Sequence, residues 1–407
     1  MSKLKVSAIH DPDNDNEAIT VDTSGNVSVS SNLKVNTIQD TTGNDALTID
    51  SSGNVTASQG FVPSTQLSHR NLIINGAMQV AQRGTSTTSA NTAGYHEGPD
   101  RMRRSESQLG SATFTREQST DAPEGFSYSL KETTTTVSAG YASEAYRPLN
   151  IRIEGQNLQH LAWGTSAAKS ITFSFWVKSS VTGTYSMTFL SYDSSDNTDI
   201  ITNTYTISSA NTWEYKTVTI SGNTNANIRN TNESGLDIQW CAGSGSDYTS
   251  TDSTSWGDLA TEGYHYGQTA NVCGTLNATW QITGVQLEVG SVATPFEHRS
   301  YGEELARCKR YYEVLGRGGD WTGDRAYNHS SRIVNLPYWA VEKRADPSVT
   351  VYSNYGVSGS MSGYSSGTEN AVTAVSDPSR YSVGRFITLT NSITQPHIGY
   401  FVADSEL

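Results

Sequence analysis

Charged residues make up only 16% of the 407-residue chain, against about 25% in an average globular protein. The shortage is mostly of cations: 27 Lys and Arg face 40 Asp and Glu, a formal net charge of −13. Such a chain repels phosphate backbones and anionic lipid, which argues against a nucleic-acid partner. No apolar run approaches the roughly 18 residues a spanning helix requires, so membrane insertion is not expected. The opening Met-Ser-Lys-Leu-Lys-Val-Ser-Ala-Ile-His lacks the apolar core of a secretory signal, and folding in a cytosol is the expectation. Cysteine is sparse too. Cys241, Cys273 and Cys308 lie far apart with no Cys-x-x-Cys pair to suggest zinc or redox chemistry. Buried thiols are expected, a Cys241–Cys273 disulfide being the alternative for a protein that works outside a cell. Catalytic signatures are missing as well: no G-x-S-x-G elbow, Walker loop, H-E-x-x-H or strand-to-helix G-x-G-x-x-G occurs. The expectation is a protein that is not an enzyme, with no organic cofactor. His96 and His265, each in a short loop, read as surface or packing residues.

What fills the chain instead is Ser, Thr, Asn and Gly, with 35 Gly and 21 Tyr. Short strands joined by polar turns suit that mixture, because β-branched and aromatic residues fit a pleated surface while Gly, Asn, Asp and Ser fit turns. An all-β fold follows.

Ala18 to Val27 reads AITVDTSGNV and Ala46 to Val55 reads ALTIDSSGNV. Leu4-Lys5-Val6 recurs as Leu33-Lys34-Val35, so two units of about 28 residues stand in tandem. Apolar residues alternate within each unit, and Ser-Gly-Asn supplies positive-φ positions for a hairpin turn. A lone hairpin with so few apolar side chains is marginal in water. Copies of the same chain are the obvious source of the missing surface, and residues 1–62 read as an intertwined oligomerisation segment.

Residues 69–299 alternate strands with polar loops, the clearest strands being 171–177, 185–190, 213–220, 236–240 and 280–289, which predicts a β-sandwich. Residues 300–315 read as a connecting helix: Ser300 and Glu303 fit a capping box, Glu303 can pair with Arg307, and Tyr301, Leu305, Cys308, Tyr312 and Leu315 share a face. Gly316 to Gly319 breaks it, and 316–407 form a second, smaller β domain.

Oxygen-rich loops raise the question of Ca²⁺, which takes six to eight oxygen ligands. Asp193, Asp196 and Asp199, with Asn197, are the candidate metal group. The loop Asp11, Asp13, Asn14, Asp15 and Glu17 reads as a solvated turn, since its second copy loses most of the acids. Aromatic residues in polar loops suit sugar, the ring covering C–H faces while neighbours take the hydroxyls. Trp256, Tyr264, Tyr266, Trp321, Tyr355 and Tyr364 are the candidates, with core packing as the competing role for each.

Longer motifs carry a resemblance. Arg70-Asn-Leu-Ile-Ile-Asn-Gly-Ala-Met78, Gly98-Pro-Asp-Arg101, Phe173-Ser-Phe-Trp-Val-Lys178, Asn211-Thr-Trp-Glu-Tyr-Lys216 and Gly284-Val-Gln-Leu-Glu288 resemble the carbohydrate-binding-module-like jelly roll of tailed-phage tail fibres. The 301–312 stretch and the closing Phe401-Val-Ala-Asp-Ser-Glu-Leu407 are similar to segments of the same fibres. The Ser-Gly-Asn-Val units look like repeats at the start of marine phage fibres. Met102 departs from the pattern, standing where many relatives carry an aromatic residue. The resemblance implies a homotrimeric virion fibre folded in the host cytoplasm. Its amino terminus would dock on the tail or an adaptor protein, and its distal 316–407 domain would bind a host cell-surface glycan. Two alternatives accompany it: a structural neck, collar or tail fibre without receptor contact, and a glycan-depolymerising tailspike with paired carboxylates about 6.5–9.5 Å apart.

Overall fold

Alternating apolar residues build strands throughout the computed structural model. It describes residues 68–89, 92–137, 142–259, 263–316, 322–325, 331–334, 336–363, 366–391 and 397–407, together with 8–10, 17–21, 23, 27–29, 37–39, 45–49 and 55–57. The acidic loop beginning at Asp11 and both Ser-Gly-Asn turns lie outside the described residues. Contacts divide the chain into Met1–Ser64 and Thr65–Leu407.

In the first unit each repeat makes one antiparallel three-stranded sheet: Ala8–His10, Glu17–Val21 and Val27–Val29, then Thr37–Gln39, Asp45–Ile49 and Val55–Ala57. The copies match in register, Ile19 facing Val29 and Leu47 facing Ala57, with a bulge at the equivalent points Ile9/His10 and Ile38/Gln39. Ile38 is 48% exposed and Ile19, Leu47 and Ile49 are only half-buried. A single chain leaves this apolar surface partly wet.

The second unit opens with a jelly-roll β-sandwich. One sheet has six strands in the order Glu214–Ile220, Ile171–Ser179, Thr279–Val289, Ser129–Thr136, Thr113–Ser119, Ser86–Ser89. The other has seven, in the order Gly257–Asp258, Thr198–Ile207, Gly183–Tyr192, Ser234–Ser244, Tyr146–Glu154, Arg103–Arg104, Gly94–Tyr95. Period-two alternation puts Phe173, Phe175, Phe189, Trp240 and Trp280 between the sheets, each at most 1% exposed. Phe173 meets Trp240 with centroids 5.2 Å apart and Phe175 meets Tyr205 edge-on at 5.2 Å. Met102 is 1% exposed and lies in the core. All three cysteines are buried and unbridged.

One end of this core is ionic. Glu132 binds the Arg104 guanidinium and, at 2.7 Å, Arg147 Nη1, while Arg147 lies 3.5 Å over the Phe114 ring. Burial pushes the Glu132 carboxyl up, but Arg104, Arg147 and Arg116 outweigh it and hold the group down at about 2.

The Arg70–Met78 motif ties the sandwich together by polar side chains that have no alternative partner. Asn71 donates to Val285 O at 3.1 Å and accepts from Ile73 N and Leu287 N, and Asn75 bonds Val80 and Asp100 backbone. Gly284, in the same family-like stretch, has φ +62°, and a Cβ there would meet Phe126 Cζ at 2.7 Å.

The helix is shorter than its pattern predicts. It runs Tyr301–Lys309, capped by Ser300 Oγ accepting from Glu303 N at 3.2 Å, with Glu303 paired to Arg307 at 2.9 Å. Residues 310–315 leave it because stronger partners lie elsewhere. Arg310 forks onto Glu154 with two 2.8 Å bonds, and Tyr311 donates to Glu154 Oε1 at 2.6 Å. Lys343 Nζ caps the Lys309 carbonyl. Tyr312–Leu315 then becomes a strand, its inward Glu313 pairing with the equally buried Lys343 at 2.5 Å. Tyr301, expected on the buried face, is 56% exposed.

The last domain is a small barrel. Strands His397–Asp404, Thr322–Arg325, Arg332–Val334, Phe386–Leu389, Glu369–Ser376 and Ser360–Gly363 pair in sequence, and the last returns to the first. Tyr312–Leu315 and Ser348–Ser353 add to His397–Asp404. Ile333, Val351, Met361, Ile387, Leu389 and Phe401 fill its centre. It packs on the sandwich through Glu406, which is bound by Arg101 and, at 3.3 Å, by Arg83.

Candidate functional site

The apolar residues Leu149, Ile151, Ile153, Leu236, Ile238 and Trp240 turn into the core, so the residues between them face outward. Register then sets out two polar rows across the outer face of the seven-stranded sheet. Arg103 faces Asn150, Asn150 faces Gln239 and Gln239 faces Thr188; alongside, Arg152 faces Asp237 and Asp237 faces Leu190. Loops carrying Tyr248, Leu259 and Tyr264 rise over these rows and, with Ser105, Tyr146 and Tyr192, enclose a cavity of about 200 Å³. That is below the roughly 300–1,000 Å³ of drug-sized pockets. It admits a ring-sized group rather than a long buried chain.

The cavity floor is polar. Asp237, fully buried, accepts from Asn150 Nδ2 and from Arg152 Nε, each at 2.9 Å. Burial pulls the Arg152 guanidinium down, Asp237 more than offsets this, and the cation is held above its usual range. Gln239 is 4% exposed, and its Oε1 has no hydrogen-bond partner among the described residues. An unpartnered buried acceptor costs about 1–3 kcal/mol. The Tyr264 hydroxyl already bonds the Gln239 side chain, and a donor from outside the chain would satisfy Oε1 as well.

The walls are aromatic. Tyr146 and Tyr248 meet edge-on at 5.2 Å, and His265 lies behind them, 6.1 Å from Tyr146 and 5.4 Å from Tyr264. His265 is 1% exposed and bonds Ser244 Oγ through Nδ1 at 3.0 Å; burial lowers its pKa to about 3. It is a neutral packing residue, buried rather than on the surface. Burial first, then Asp237, raises the Tyr192 and Tyr264 hydroxyls, which stay protonated. The cavity therefore offers ring faces, hydroxyl donors, a guanidinium and an open amide oxygen. Asp237 is the one carboxylate among its described lining residues.

No protein-family model and no curated protein matches the chain. Among solved structures it is similar to the enzymatically active domain of tailspike protein 4 from bacteriophage CBA120, at 13% identity and TM-score 0.29, over 54% of this chain and 21% of that one. It is also similar to a putative sugar binding protein from Bacteroides thetaiotaomicron, at 11% identity and TM-score 0.28, over 54% of this chain and all of that one. A family 22 carbohydrate binding module from Clostridium thermocellum matches at 12% identity and TM-score 0.27, over 57% of this chain and 98% of that one. At such TM-scores these likenesses carry no argument about function, which rests on the cavity itself.

Of the six aromatic candidates, Tyr264 lines the cavity. Trp256 packs edge-on against Trp163 at 5.1 Å and donates Nε1 to Ser221 O at 2.8 Å, a structural role. Tyr266 is half-buried beyond the lining, and Tyr355 stands 68% exposed on the barrel. Trp321 and Tyr364 lie outside the described residues. The three aspartates do not converge. Asp193 accepts from Ser195 N, Asn197 N and Asn197 Nδ2, Asp196 pairs with Arg229 at 2.6 Å, and Asp199 accepts from Asn223 Nδ2 at 2.7 Å. Among the described residues no three His, Cys, Asp or Glu side chains gather as metal ligands. Asp193 closes a hairpin turn, while Asp196 and Asp199 go to separate partners.

Arg152, Asp237 and Gln239 escaped the sequence reading, although a signal was there. Asp237 and Gln239 interrupt the apolar run 236–240 at alternate positions, as Asn150 and Arg152 do in 149–153.

Proposed function

We propose that this chain is a non-enzymatic tail-fibre protein of a tailed phage, and that it holds a host-surface glycan in the cavity on the outer face of the seven-stranded sheet. The observation that carries the glycan assignment is the buried, unpartnered Gln239 Oε1 beside Arg152 and between tyrosine walls. A sugar hydroxyl supplies the missing donor, and its C–H face fits against a ring. The virion context rests on the motifs from Arg70 to Gly284 and on the tandem hairpins, whose half-exposed Ile38 surface suits burial in a homotrimer docked on the tail or its adaptor. Recognition then belongs to the sandwich, with the barrel as its support.

The test uses the full-length chain on an array of host surface polysaccharides, beside Gln239→Leu and Tyr264→Ala. The expected result is a loss of binding of about tenfold or more for each variant, with thermal unfolding nearly unchanged. Wild-type binding by Gln239→Leu would remove the cavity from the reading. Release of reducing ends from the polysaccharide would replace attachment with depolymerisation. Light scattering of the same sample should give three chains per particle.

A further inference from the structure

Among the described residues the charges around the cavity do not cancel, and the cross-strand rows show why. Asp237 contributes one negative charge, yet it is fully buried and both its oxygens are occupied by Asn150 and Arg152. Arg152 keeps its side chain 24% exposed and uses only Nε on Asp237, which leaves both Nη groups without a partner among the described residues. Arg103, on the same outer face through its pairing with Asn150, donates to Ser105 Oγ at the cavity wall. It has no carboxylate partner among the described residues. Arg229 also approaches, 5.5 Å from the Tyr192 ring, but Asp196 and Glu233 neutralise it at 2.6 and 2.9 Å. Among the described residues, two guanidiniums thus face one occupied carboxylate.

We infer that the cavity selects an anionic glycan, a sugar bearing a carboxylate or a sulfate, and seats that oxyanion between the Arg152 Nη groups and Arg103. The inference rests on the glycan reading of the same cavity and adds the charge of the ligand. A guanidinium fork matches a planar oxyanion, and such charge-assisted bonds are about twice as strong as neutral ones. The chain's net charge of −13 does not oppose this at physiological salt, where charges beyond about 8 Å are largely screened. The two arginines decide the local field.

Calorimetry with the full-length chain tests it, using a panel of oligo-hexuronates, their carboxyl-reduced neutral forms and sulfated forms of the same backbones. Anionic members should bind about tenfold more tightly than their neutral counterparts, as one or two charge-assisted bonds imply. The preference should shrink with added salt. Arg103→Gln breaks no ion pair and should cut it to about threefold. The double variant Arg152→Gln/Asp237→Asn, which removes both charges at nearly constant shape, should lower it as well. Whichever of uronate and sulfate binds tighter assigns the oxyanion. Equal or tighter binding of the neutral forms, lost in Gln239→Leu, overturns the charge inference and leaves the glycan site standing. Failure of the panel and the polysaccharide array together overturns both.

Discussion

Strands Tyr146–Glu154 and Ser234–Ser244 carry Ile151, Ile238 and Trp240 on one face and Arg152, Asp237 and Gln239 on the other, separated by single steps along the backbone. On the inner face the large rings pack against one another: Trp240 meets Phe173 and Phe175 with centroids 5.2 and 6.0 Å away, although its Nε1 has no hydrogen-bond partner among the described residues. On the outer face an amide oxygen and two Nη groups are left over. The inner face is optimised for folding, and the outer face carries a polar surplus that folding alone does not account for. Such a surplus fits the binding site proposed for this face.

Substitutions can break that contrast. The largest effect should come from Trp240→Ala, which opens a cavity in the core and should cost about 3–5 kcal/mol, read as a fall in the denaturant midpoint. Gln239→Leu should have the opposite sign of effect on stability. Removing an unpartnered buried acceptor should leave the midpoint unchanged or raise stability by up to about 1 kcal/mol, while glycan binding disappears. If Gln239→Leu instead destabilises as a core substitution does, the two faces are not functionally distinct.

A smaller effect concerns pH. Burial lowers the His265 pKa from 6.5 to about 3, so between those values the unfolded chain binds a proton that the folded chain refuses. Stability is therefore present in full above about pH 6.5 and falls as pH drops toward 3. His265→Asn should flatten that slope in denaturant midpoints measured across the range. Glu132, held near 2 beside Arg104 and Arg147, contributes stability that is present above its ordinary 4.5 and lost as pH falls toward 2. It therefore acts mainly in the lower part of the window. The smallest change should come from Asp196→Asn. Its carboxylate is 85% exposed against Arg229, and such pairs contribute about 0–1 kcal/mol. Added Ca²⁺ should not shift the unfolding temperature of either form; a clear upward shift would restore the aspartate loop as a metal site.

The strands 171–179, 183–192 and 279–289 were legible because their apolar residues alternate and polar turns bound them. The jelly roll followed from motifs whose polar members, such as Asn71 and Asn75, proved to be internal ties. The helix end was not legible. Tyr312 and Leu315 continue the helical spacing, and only Glu154 and Lys343, far away in sequence, draw 310–315 out of it. The site was legible in one residue, Tyr264. Trp256 carried the same local signature but found Trp163 and Ser221 inside the fold. Arg152 and Asp237 are 85 residues apart, and nothing short of strand register brings them together. The three aspartates diverge for a related reason. Three acids within seven residues look like a shell of ligands, but an antiparallel turn directs them to different neighbours.

Arg101 joins three parts of the molecule. Its Nη1 holds Glu406 of the barrel, its Nη2 donates to Arg152 O at 2.8 Å, and its plane lies 3.5 Å over the Tyr311 ring. A pull applied to the barrel would therefore be transmitted through this guanidinium to the backbone of the very strand that carries Arg152. Separating the two domains would strip a buried cation of its counter-charge, so electrostatics contributes to the joint's resistance to tension. Under load, the barrel works as an anchor plate that keeps strand Tyr146–Glu154 taut.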